Sequence, residues 1–124
     1  MDHQQVLLYL LSKPEAVEEF PFGPDMAVLK VKHKTFATMS LAKGDEKNKN
    51  LWWVNLKCDP HEAVMLRDIF PAIVPGYHMN KLHWNTIKLD NSIPYKEILR
   101  MIDNSYNLVV GNMSKQDQQS IVHL

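Results

Sequence analysis

Lysine, tryptophan and histidine recur through the middle of this 124-residue chain at spacings suited to meeting a polyanion. The densest stretch, PGYHMNKLHWNTIKLD at 75–90, holds Tyr77, His78, Lys81, His83, Trp84 and Lys88. Each has a polar or charged end that needs a partner or water, so their crowding marks a surface where the protein meets something. Upstream, Lys30 and Lys32 alternate along one apolar segment, and Trp53, Asn55 and Lys57 along another. If both segments are strands, Lys30, Lys32, Lys57, Trp84 and Lys88 leave on the side away from the core, with Trp53 and Asn55 in phase with Lys57. Lys34, Lys81, His78 and His83 extend the rim of that face. Lysines suit phosphate oxygens, and Trp53 or Trp84 can stack on an exposed base or pack against a sugar. The plainer alternative is that solvent-facing strand lysines serve solubility and edge protection. Only Arg67 and Arg100 supply guanidinium groups, which points to backbone or shape recognition over the reading of guanine.

Other chemistries find less support. His78, His83 and Cys58 with Asp59 form the one sensible ligand set, but HMNKLH is not a zinc-ligand spacing, and neither CxxC nor HExxH occurs. No metal or other cofactor is therefore expected. There is no nucleophile elbow, phosphate-binding glycine loop or dinucleotide fingerprint, so a non-enzymatic role is expected. Cys58 is the only cysteine, which rules out an intramolecular disulfide and makes a reducing cytoplasm the expected compartment. It reads as a quiet, partly buried thiol. The chain is formally neutral, yet residues 1–25 carry five acids against Lys13, and residues 26–90 carry ten bases against six acids. Neutrality disfavours tight non-specific DNA binding but permits a local basic face.

The positioning elements follow from periodicity. The length suits a single domain over residues 1–124. Asp2 caps a predicted helix over residues 2–12, where Val6, Leu7, Leu10 and Leu11 recur, and Pro14 ends it. PEAVEEFPFGPD at 14–25 is expected to be an irregular or briefly helical connector whose Phe20 and Phe22 tuck against the core. Strands are expected at 26–32, 35–41 and 51–57, with His33-Lys34 as a tight turn and KGDEKNKN at 43–50 as an exposed one. Such short connections imply an antiparallel meander. Asp59-Pro60 opens a helix with Glu62 at the capping-box position; Ala63, Leu66, Ile69 and Phe70 form its buried stripe. A strand follows at 84–89, with Ile87 and Leu89 towards the core. A long helix after Pro94 buries Ile98, Ile102, Tyr106 and Val109 and stops near Gly111. Residues 114–124 add a short last helix, with Ser114 and Asp117 as a capping pair. The architecture is α+β: a two-layer fold, an antiparallel sheet with helices packed mainly on one face. No apolar run reaches the length of a membrane span, and the N-terminus lacks the basic region of a signal peptide.

PFGPDMAVLKV at 21–31, KTFATM at 34–39, VNLKCDP at 54–60 and PGYHMNKLHWNTIKLD at 75–90 occur in the order of one known family, and Ser105-Tyr106 with Leu108-Val109 agrees. Over nearly its whole length the chain resembles the MmcQ/YjbR-like proteins, small bacterial proteins. The resemblance implies a secretion-chaperone-like α+β fold and DNA binding through a "double-wing" sheet. A chaperone-like fold also implies the alternative of a protein- or peptide-interaction module. Family members often have glycine where this chain has His33, a residue expected to resist positive φ and alter the hairpin.

Overall fold

A computed structural model describes residues 2–42, 50–77 and 79–121. The exposed turn expected at 43–50 falls almost entirely outside the described residues, as does His78.

The chain opens with α1 (His3–Leu11), capped by Asp2, whose carboxylate accepts from the Gln5 N–H while the Gln5 side chain accepts from the Asp2 N–H. This reciprocal pair satisfies two donors that a helix start leaves orphaned. The connector is not wholly irregular: β1 (Val17–Glu19) pairs antiparallel with β2 (Met26–Val31). Next come β3 (Lys34–Ala42), β4 (Leu51–Lys57) and α2 (Pro60–Ile69). After them lie β5 (Ile73–Pro75), β6 (Trp84–Lys88), α3 (Tyr95–Gly111) and α4 (Lys115–Ser120). Among the described residues six strands form one sheet in the order β1-β2-β3-β4-β6-β5, with every neighbouring pair antiparallel. The expected meander is β2-β3-β4. β1 and β5 went unread because three-residue strands carry too little alternation to register.

The core lies between one sheet face and the helices. Leu29, Val31, Met39, Val54, Leu56 and Ile87 meet Val6 and Leu10 of α1, Ala63 and Leu66 of α2, and Ile98, Ile102 and Tyr106 of α3. Two phenol hydrogen bonds fasten the first segment to α3: Tyr9 donates to Asp103 at 2.7 Å, and Tyr106 donates to the Pro14 carbonyl at 2.7 Å. Arg100 on α3 bridges Glu97 and Glu62 of α2. Glu62 is therefore drawn to Arg100, and Asp59 alone caps α2, accepting from the His61 and Glu62 N–H groups.

Three local expectations are corrected. Phe20 and Phe22 do not reach the core; they are 49% and 77% exposed, held outward by the β1–β2 connection. Ile69 ends α2 on its solvent side and is exposed. The β2–β3 hairpin turns on Lys32-His33, not His33-Lys34, with φ of 49° and 66°. Positive φ at both central residues is the geometry that matches the twist of antiparallel strands. His33 thus adopts the left-handed conformation it was expected to resist.

Candidate nucleic-acid interface

The register of β4 and β6 decides which side chains share a face. Trp53 pairs with Lys88, Asn55 with Thr86, and Lys57 with Trp84, while Val54–Ile87 and Leu56–Asn85 alternate with them on the helix side. The sequence-predicted set Trp53, Asn55, Lys57, Trp84 and Lys88 therefore lies together on the face away from the helices. Lys88 places Nζ 5.4 Å from the Trp53 ring centroid, and Trp53 meets Tyr77 edge to face at 5.5 Å. Lys81, in the loop before β6, donates to the Gly76 carbonyl at 3.2 Å. Gly76 is obligatory there, since a Cβ would stand 2.8 Å from the Trp84 Cβ. His83, Trp84, Lys57 and Asn80 line one side of an open groove of about 330 Å³ at the edge of the sheet, and Asp59, Leu108 and Asn112 of the helix layer line the other.

The three expected lysines of the β2–β3 region are dispersed. Lys30 is on the same face but pairs with Glu19 at 2.9 Å. Lys32, expected on the strand, lies instead in the hairpin turn, where it reaches Glu15 at 3.4 Å. Lys34 is exposed and opposite Val31, a core residue, so its register position belongs to the helix side and not to the rim of the open face. The cause is the acidic connector: Glu15, just before β1, and Glu19, at its end, lie along the edge where these lysines lie, and tertiary pairing neutralises two of them. Among the described residues Lys57, Lys81 and Lys88 make no salt bridge.

Two buried features escaped the sequence reading. Along the centre of the open face runs a directed hydrogen-bond chain. The Tyr77 N–H, which can only donate, meets the Thr86 hydroxyl at 2.8 Å. Thr86 Oγ1 therefore donates to Asn55 Oδ1, and Asn55 Nδ2 donates to Thr38 Oγ1 at 3.0 Å. Asn55 is thus 7% exposed, lying on the floor of a cavity and not on an open surface. Phe22, Met26, Tyr77 and Met79 wall that cavity above Thr38 and Asn55, enclosing about 380 Å³. On the opposite face Asn85 is buried, accepting from Arg67 Nη1 at 2.8 Å and donating to the Ala63 carbonyl at 3.3 Å. Asparagine within a strand was the available signal in both cases, because a strand favours it only where its amide is satisfied.

Cys58 is buried, its N–H bonded to the His83 carbonyl at 2.8 Å. Burial, with Glu62 and Asp59 nearby, pushes the thiol up to about 11, opposite to the shift a nucleophile or metal ligand needs. Among the described residues no group of three His, Cys, Asp or Glu side chains is placed to hold a metal ion. No helix among them is long and apolar enough to cross a membrane.

A helix-backed antiparallel sheet whose free face carries loop-walled aromatic and basic residues defines the class of protein. The YjbR family model matches residues 11–108, and the chain belongs to that family. It is 36% identical over 102 residues to YbdF of Escherichia coli O157:H7, covering 82% of this chain and 79% of that protein. YjbR of Escherichia coli K12 is 29% identical over the full length of both chains. Among solved structures, Deinococcus radiodurans DR2400 superposes with a TM-score of 0.83 at 28% identity, covering 95% of this chain and 86% of its own. A Pseudomonas syringae protein superposes with a TM-score of 0.78 at 32% identity, covering 88% of this chain and 99% of its own.

Proposed function

We propose that this protein is a non-enzymatic nucleic-acid-binding protein that contacts the phosphate backbone with the β4–β6 half of its open sheet face. The observation that carries this reading is the pairing of Lys88 with Trp53 and of Lys57 with Trp84 across adjacent strands on one face. A cation beside an aromatic plane suits a nucleotide, the cation taking the phosphate and the ring taking base or sugar. Lys81 adds a third charge from the neighbouring loop, whereas Lys30 and Lys32 drop out because Glu19 and Glu15 already occupy them. The scarcity of arginine keeps the recognition on backbone and shape. The test is tryptophan fluorescence during titration with duplex and single-stranded DNA at low and moderate salt. Binding that weakens with salt and falls several-fold in both Lys57→Ala and Lys88→Ala is expected. Absence of binding at low salt removes the reading, and binding indifferent to both substitutions moves the site elsewhere.

A protein- or peptide-interaction module is the second reading, favoured by Phe22 and Tyr77, which are 77% and 55% exposed beside the same face. Burial of such an apolar patch responds little to moderate salt, so the same titration against an extended apolar peptide separates the two.

A further inference from the structure

We propose that the cavity over the centre of the open face is a pocket for one unstacked base of a single strand, selecting bases that carry a ring carbonyl. The proposal rests on the nucleic-acid reading and adds a ligand to a site that reading does not use. Its volume, about 380 Å³, lies within the range of small-ligand pockets, roughly 300–1,000 Å³. The walls suit a flat, weakly polar ring: Phe22 and Tyr77 supply aromatic faces, and Met26 and Met79 supply adaptable thioethers.

The floor specifies what that ring must present. The hydrogen-bond chain begins at the Tyr77 N–H and allows one direction of donation through Thr86 and Asn55 to Thr38. Thr38 Oγ1 accepts at the end of it, and its own proton has no acceptor among the described residues, although Thr38 is only 5% exposed. Asn55 has a second amide proton beyond the one given to Thr38. Two donors thus line the cavity floor, and a buried donor without an acceptor is costly enough to favour a ligand that supplies one. A carbonyl oxygen of thymine or uracil has two lone pairs and can accept from both donors at once, whereas each ring nitrogen of adenine has one, and N1 and N7 lie beside an amine that itself donates. Phosphate has a place just outside, since Lys88 and Lys81 flank Tyr77 through Trp53 and Gly76.

The test compares oligothymidylate, oligodeoxyadenylate and an abasic oligonucleotide of equal length, by fluorescence anisotropy at low salt. Oligothymidylate is expected to bind at least tenfold tighter than the other two. Thr38→Val, which keeps the shape and removes the hydroxyl, is expected to reduce that preference several-fold while leaving abasic binding unchanged. Phe22 is so exposed that Phe22→Ala leaves the fold intact, and it should weaken oligothymidylate alone. If all three oligonucleotides bind equally, or if Phe22→Ala leaves the preference intact, the pocket proposal fails and the backbone reading stands. If none binds, both fall. Tight binding of an apolar peptide, blocked by Phe22→Ala, with no thymine preference would assign the cavity to a protein partner and overturn the proposal.

Discussion

At the scale of single residues, Ser105 shows how one hydroxyl serves two strands. The extra residue Phe36 lies between the pairs Leu29–Ala37 and Lys30–Thr35, forming a bulge that turns both Phe36 and Ala37 into the core. The Phe36 carbonyl and the Lys57 N–H are therefore not left to water; Ser105 Oγ donates to the first at 2.6 Å and accepts from the second at 2.8 Å. Ser105→Ala orphans both groups in a buried site, each worth about 1–3 kcal/mol, so chemical denaturation should show a loss at least that large. Cys58 gives a second prediction. With the thiol raised from 9.0 to about 11, the thiolate fraction near pH 8 falls about 100-fold, and alkylation of the folded protein should slow by at least that factor. The sign for stability follows: the unfolded thiol ionises first, so the contribution of its burial is present below pH 9 and is lost as pH rises towards 11. An unfolded-like alkylation rate at pH 8 would contradict this burial.

At the scale of elements, the β2–β3 hairpin is the place where a residue works against its backbone. His33 holds φ at 66° without being glycine, a conformation that costs an L-residue roughly 1–2 kcal/mol. His33→Gly relieves that cost but adds freedom to the unfolded chain, so a net gain of up to about 1 kcal/mol is expected in urea melts. A net loss would mean that the His33 side chain makes a compensating contact. The same hairpin explains a misplaced lysine. Reading the strand one residue too long put Lys32 on the sheet face, whereas the turn lifts it off towards Glu15. Periodicity locates strands well and their ends poorly, because a two-residue turn carries no signal when its residues are neither glycine nor asparagine.

At the scale of the whole molecule, zero net charge and a basic half-face coexist because the acids are collected elsewhere. Glu15 and Glu19 lie at the β1 edge, Glu62 and Glu97 are held by Arg100, and Asp103 is held by Lys13. Three lysines on the proposed face, meeting three phosphates of a single strand, give a slope of log K against log salt of about −2. A measured slope near zero would leave the aromatic residues as the whole of any binding. A much steeper slope would require cations beyond Lys57, Lys81 and Lys88.

The sequence by itself determined the α+β class, the antiparallel β2-β3-β4 core of the sheet, the capped helices and the common face of Trp53, Lys57, Trp84 and Lys88. These depend on local periodicity and capping chemistry, which are written along the chain. Only the tertiary structure decided which lysines remain unpaired, that Asn55 lies at the base of a cavity, and that Phe22 faces outward to wall it. Those outcomes depend on residues far apart in the chain: Glu19 meeting Lys30, Thr86 meeting Asn55, and Tyr77 closing over Thr38. Pairings across such distances are set by the register of strands and the route of loops, and no local pattern encodes them.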